Sequence, residues 1–144
     1  MKSNFLVFIQ FTAIFLMLLP VGTQTSEYSY IGLVVVFIGI LVGILALSKN
    51  KLGNFNIRPD IKENCSLITT GIYAYIRHPM YTSVLVSMFG VMLIYINVFE
   101  IIIYVILLLN MLVKMFYEEN LWLCTSEEYV SYVKNTKRLV PYIF

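Results

Sequence analysis

Residues 28–47 read YSYIGLVVVFIGILVGILAL, without one charged side chain. A helix that crosses a bilayer needs about 20 such residues. Working outward, residues 5–21 form a second apolar stretch, with Gln10 and Thr12 as its polar interruptions. Residues 79–96 and 98–116 form two more, with Glu100 and Lys114 near the ends of the last. The connections 22–27 and 97–99 are hairpin-sized, so neighbouring spans should run antiparallel. The expected fold is an all-α integral membrane protein. It has four transmembrane helices, a cytoplasmic C-terminal helix and a tail, in one membrane domain, 1–144. Segments 48–78 and 117–144 are then cytoplasmic.

Composition excludes the alternatives. The chain is 60% hydrophobic and 12% charged, whereas soluble domains carry about 25% charged residues. Low charge with 11 Tyr and 10 Phe excludes disorder. Two cysteines exclude a disulfide scaffold. A formal net charge of +2 forms no basic face for nucleic acid. All 10 Lys and Arg fall on one side of the four spans. The positive-inside rule therefore places both termini in the cytoplasm, with the bacterial inner (plasma) membrane as the expected location. Lys2 and the apolar run after it also resemble a signal peptide, but Val21-Gly22-Thr23 is a poor cleavage site. Gly39-x-x-x-Gly43 allows close helix packing, or reflects the general frequency of glycine in membrane helices.

Polar residues gather at the inner ends of the third and fourth spans. Gly71-Ile72-Tyr73-Ala74-Tyr75-Ile76-Arg77-His78-Pro79-Met80-Tyr81 leads into the third. Pro79 suits the first helical turn. Arg77 and His78 then stand beside free backbone N–H groups, where an anion is favoured. An anchoring role at the headgroups is the plainer reading of Arg77. His78 is the only histidine, so no multi-histidine metal site exists. At the end of the fourth span stand Glu118 and Glu119. On a helix they point about 100° apart, so they should not share a neighbour. Lys114 lies one turn before Glu118 and can pair with it. That leaves Glu119 as the ligand or proton acceptor, unless it is merely a solvated helix end. Thr125-Ser126-Glu127-Glu128 fits a capping box. It predicts a helix over about 126–135 with Tyr129, Val130 and Val133 as its apolar stripe and Tyr132 flanking it. Lys134, Lys137 and Arg138 suit anionic headgroups. Cys65 and Cys124 are expected as free thiols.

The run from Gly71 to Tyr81 resembles the Arg-His-Pro-x-Tyr signature of the isoprenylcysteine carboxyl methyltransferase and phospholipid methyltransferase group. Leu67-Ile68-Thr69-Thr70-Gly71, Glu118-Glu119, Glu127-Glu128-Tyr129, Lys134 and Pro141 follow the same pattern in order. The likeness covers about residues 50–144; the first two spans match as generic membrane helices. The resemblance implies an enzyme using S-adenosylmethionine, held at the inner face between the last two spans and the C-terminal segment. It implies that Tyr73, His78, Pro79 and Tyr81 contact this cofactor and that Glu118 or Glu119 holds its charged amino or ribose end. Arg77 would lie near the acceptor or the cofactor carboxylate. Arg77 and Glu119 are thus the candidate catalytic residues, and Arg77 and Arg138 the candidate substrate-binding ones. Many relatives have glycine where this chain has Ser83, which narrows the cavity or adds a hydrogen bond.

Methyl transfer from a sulfonium mainly requires donor and acceptor in line in a dry pocket. A carboxylate acceptor needs only a cation such as Arg77 or Arg138. An amine or thiol must lose a proton, which Glu119 could take. The expected partners are membrane lipids and a lipophilic or lipid acceptor: a prenylated cysteine, a lipid amine, or another thiol or acid. Two alternatives stay open here: a sterol-reductase-type enzyme using NADPH, and a non-enzymatic membrane protein. Oligomeric state stays open too.

Overall fold

A computed structural model describes residues 2–19, 25–50, 58 and 66–144. Among these the chain is helical, with no named strand. The helices are α1 (Lys2–Leu18), α2 (Ser29–Lys49), α3 (Pro79–Ile94), α4 (Val98–Thr125) and α5 (Glu127–Asn135), with a 3-10 turn at Gly71–Ala74. Cys65 and most of the 48–78 connection lie outside the described residues.

All four apolar stretches are helical, but their ends differ from the expected spans. Only α2 and α4 are long and apolar enough to cross a membrane; α1 and α3 are apolar but shorter. α3 stops at Ile94 because Asn97 turns the chain into α4, its side chain accepting from the Glu100 N–H. α4 runs on past residue 116 to Thr125 as one helix. No Gly or Pro occurs in 117–125 to stop it. Glu118 and Glu119 thus stand on a rigid continuation of α4.

α5 is capped by Ser126, whose Oγ accepts from the Tyr129 N–H, and not by Thr125. Thr125 Oγ1 instead donates back to the Leu121 carbonyl inside α4. The buried face of α5 is Tyr129 and Tyr132, while Val130 is exposed. Of the expected stripe Tyr129 is packed and Val130 is not, and the flanking Tyr132 is packed as well. Tyr132 is drawn in by its hydroxyl, which donates to the Tyr73 carbonyl.

Packing pairs α2 with α3 and α1 with α4 most extensively. Gly39 and Gly43 of α2 are buried, and so is Gly32. A Cβ on Gly39 would stand 2.6 Å from the Ser87 backbone N, and one on Gly43 2.6 Å from Ser83 Oγ. Close approach is thus the role of these glycines. Ser83 Oγ donates to the Gly39 carbonyl at 2.8 Å. Of the two expectations for Ser83, the added hydrogen bond is the one found, and it joins α3 to α2. α1 and α4 contribute Ala13, Met17, Leu107, Met111 and Met115 to the core, with Leu85 and Val91 from α3. Phe5, Phe8 and Phe15 of α1 and Val34 and Phe37 of α2 stay exposed. Large apolar side chains on two outer helix faces suit association with a membrane.

Candidate functional site

The C-terminal strap, residues 136–144 after α5, builds the site against the start of α3. Residues 75–78 pair with 137–138 through a single parallel bridge, Ile76 with Lys137. The Arg77 N–H donates to the Lys137 carbonyl at 2.8 Å, and the His78 N–H to that of Arg138 at 3.0 Å. These two N–H groups precede α3; the first-turn N–H groups expected to be open to an anion are those of Met80 and Tyr81, since Pro79 has none. Thr82 Oγ1 adds a bond to the Leu139 carbonyl at 2.9 Å. Pro79 opens α3 and is fully buried, so its contribution is to fix the backbone that carries Arg77, His78 and Tyr81. Gly71, at φ +65°, makes the turn that admits this segment.

Glu119 is the hub. Its Oε1 accepts from Arg77 Nε at 2.8 Å and lies 3.3 Å from His78 Nε2. Its Oε2 accepts from Arg138 Nε at 2.9 Å. Carboxylates only accept, so His78 carries a proton on Nε2. Arg77 is also tied to the strap: Nη1 donates to the Thr136 carbonyl, to Thr136 Oγ1 at 3.3 Å and to the Val133 carbonyl at 3.4 Å, while Nη2 makes no hydrogen bond among the described residues. The Arg77 and Glu119 side chains are 4% and 6% exposed. Burial of this kind is tolerated because every charge has a partner in good geometry.

Glu118 is differently placed. Its side chain is 29% exposed, and Oε2 accepts from the Tyr81 hydroxyl at 2.8 Å. Oε2 also lies 3.9 Å from His78 Nδ1. Both carboxylates therefore do face one neighbour, because the imidazole presents a nitrogen at each edge. The His78 ring lies parallel to Tyr81, centroids 5.3 Å apart. Lys114 bonds Gln10 Oε1 of α1, and its Nζ lies 5.4 Å from the Tyr81 ring centre.

Two further groups complete the site. The Arg138 guanidinium lies over the rings of Phe116 and Phe144, at 5.2 and 5.4 Å. Its side chain is 35% exposed, and Nε carries its one hydrogen bond among the described residues. The buried Tyr129 hydroxyl has no hydrogen-bond partner among the described residues. It is within electrostatic reach of Glu119, Arg77 and Glu118, whose fields act on its ionisation after burial itself has raised it. Burial, then Glu118, pushes the Tyr73 phenol up to about 12, so it stays a neutral donor. In the sequence Tyr129 is legible as part of an apolar stripe and of the family pattern, but nothing local marks its hydroxyl as facing a charged cluster. No metal-binding group of three or more ligands occurs among the described residues.

A family model described as phospholipid methyltransferase matches residues 9–127. The chain belongs to this family. No curated protein matches it significantly. Membership in the phospholipid methyltransferase family makes the chain a methyltransferase with lipid-type substrates. The match takes in most of α1 and all of α2, which the motif resemblance left as generic helices, and stops before residues 128–144. Arg138 thus lies beyond the matched residues, and the strap returns it to Glu119. Phospholipid methyltransferases generally use S-adenosylmethionine.

Proposed function

We propose that this chain transfers a methyl group from S-adenosylmethionine to a lipophilic acceptor at the cytoplasmic face of the bacterial inner membrane. In this reading all four long helices lie in the membrane, tilted or locally thinning it where short. Both termini and the strap are cytoplasmic. The observation that carries the donor site is the contrast between the two carboxylates. Glu119 is neutralised by its partners, while Glu118 keeps an open face next to Tyr81 and His78. The orphaned Tyr129 hydroxyl is a second polar group beside these charges, without a partner among the described residues. An anion and unpaired hydroxyls fit a donor that carries a sulfonium, an ammonium and ribose hydroxyls.

When bound, S-adenosylmethionine supplies an electrophilic methyl group. Glu118 holds its cationic or ribose end, and Tyr73, His78 and Tyr81 line the rest on the backbone that Pro79 fixes. Arg77 and Glu119 hold the wall rigid. The Glu119 oxygens are already spent on Arg77, His78 and Arg138, so Glu119 positions the site. Arg77 keeps its Nη2 N–H groups without a hydrogen bond among the described residues and can share the acceptor with Arg138. Arg138 faces the acceptor. Its remaining guanidinium N–H groups suit a carboxylate or phosphate, and Phe116 and Phe144 suit the adjoining apolar chain. An amine or thiol acceptor would deliver its proton to Glu118, the carboxylate with an open face. The test is calorimetric binding of S-adenosylmethionine to the purified chain, then transfer of labelled methyl into a total lipid extract. Binding and label transfer are expected. Binding of NADPH with none of the methyl donor would overturn the reading.

A further inference from the structure

One buried charge has no part in the scheme above. Lys114 is 1% exposed on α4, a helix long and apolar enough to span the membrane. An ammonium in such a place is costly, and intramembrane charges are typically functional. A neutral pair of similar volume would join α1 to α4 at least as well. A second polar tie already does so, the Asn110 side chain donating to the Leu6 carbonyl at 3.1 Å. Lys114 instead spans two jobs. It bonds Gln10 of α1, and its Nζ lies 5.4 Å from the ring centre of Tyr81, the residue whose hydroxyl holds Glu118.

We propose that Lys114 is a positioning residue for the donor pocket. Its ammonium, steered by Gln10 of α1, sets the Tyr81 ring and through it the open carboxylate of Glu118. This rests on the donor-pocket reading above and adds α1 to it. Gln10, Lys114, Tyr81 and Glu118 then form one chain of contacts from the first helix to the site. A cation held against an aromatic face restrains the ring in position and tilt. Restraint of a ligand-holding group before binding raises affinity, because less freedom is lost on binding.

The experiment measures S-adenosylmethionine affinity and melting temperature in detergent for the wild-type chain and for Lys114→Met, Lys114→Arg and Gln10→Leu. Lys114→Met removes the charge and keeps most of the volume. Affinity should fall about tenfold, the size of one lost contact worth about 1.4 kcal/mol. Lys114→Arg should restore most of it. Gln10→Leu leaves the lysine in place and suits a membrane helix, so it reports on the steering even where Lys114→Met fails to fold. It should weaken binding severalfold. In a Tyr81→Ala background, Lys114→Met should cost much less affinity than in the wild-type chain, since the ring is gone and only the direct field of the ammonium on Glu118 is left. Variants that melt lower but bind the donor as the wild-type chain does would overturn the proposal and leave Lys114 a purely structural residue. Wild-type chain that binds no donor would overturn the donor-pocket reading first, and this proposal with it.

Discussion

Arg77 Nε and Glu119 Oε1 meet at 2.8 Å across 42 residues of sequence, with both side chains almost wholly buried. The pair ties the start of α3 to the end of α4. Arg138 and His78 close on the same carboxylate. Its neighbour Glu118 has a Tyr81 hydroxyl and a half-open face. Two adjacent residues of one type are thus split between holding the site and serving it.

Glu119→Ala should therefore be far more destabilising than Glu118→Ala. Removing one partner of a buried pair strands the other charges and costs about 3–5 kcal/mol. A half-exposed carboxylate costs about 1 kcal/mol or less. Thermal unfolding in detergent reads the difference. Glu118→Gln should melt like the wild-type chain while donor binding falls at least tenfold by calorimetry. Equal stability losses at the two positions would contradict the division of labour.

The α2–α3 seam should tolerate loss of the Ser83 hydroxyl far better than growth at Gly39. Ser83→Gly removes one hydrogen bond to the Gly39 carbonyl, worth about 0.5–1.5 kcal/mol. Gly39→Leu places atoms where Ser87 backbone N already stands, 2.6 Å from a Cβ. Overpacking of this kind costs about 1–3 kcal/mol or more. Denaturation midpoints of the two variants should rank in that order, and the reverse ranking would remove the close-packing role of Gly39.

Glu100 should be a site of gain. It is fully buried in the first turn of α4, and neither carboxylate oxygen has a partner among the described residues. The helix N-terminus offsets part of that cost. Glu100→Met keeps the volume and removes the orphaned polar atoms, so it should stabilise the fold by about 1–3 kcal/mol. A lower melting temperature for Glu100→Met would show that the carboxylate is satisfied in the folded chain.

Tyr73 sets an alkaline limit. Its phenol is raised to about 12 in the folded chain by burial and then by Glu118, against an ordinary value of 10.0. Between these values the unfolded chain has released a proton that the folded chain still holds. Its contribution to stability is thus complete below pH 10 and is lost as pH rises towards 12. Stability measured from pH 9 to 12 should fall less steeply in Tyr73→Phe than in the wild-type chain. Parallel slopes would mean that Tyr73 ionises alike in both states.

What the sequence determined by itself is what short-range chemistry controls. Apolar runs specify the four long helices, because each helix satisfies its own backbone and its period is local. Pro79 marks the start of α3 for the same reason. The ordered set around Arg77-His78-Pro79-Met80-Tyr81 points to the methyltransferase family that the match over 9–127 bears out. Tertiary structure decided which of these polar residues are free to act. Glu119 looked available because its neighbour had a lysine one turn away; its real partners come from residues 77, 78 and 138. Lys114 reaches Gln10 across 104 residues, and Ser83 reaches Gly39 across 44. Tyr132 turns inward for the carbonyl of Tyr73, 59 residues away. No periodicity records such partners. Whether a charge is spent or open depends on which distant donors reach it, and that is settled only when the helices pack.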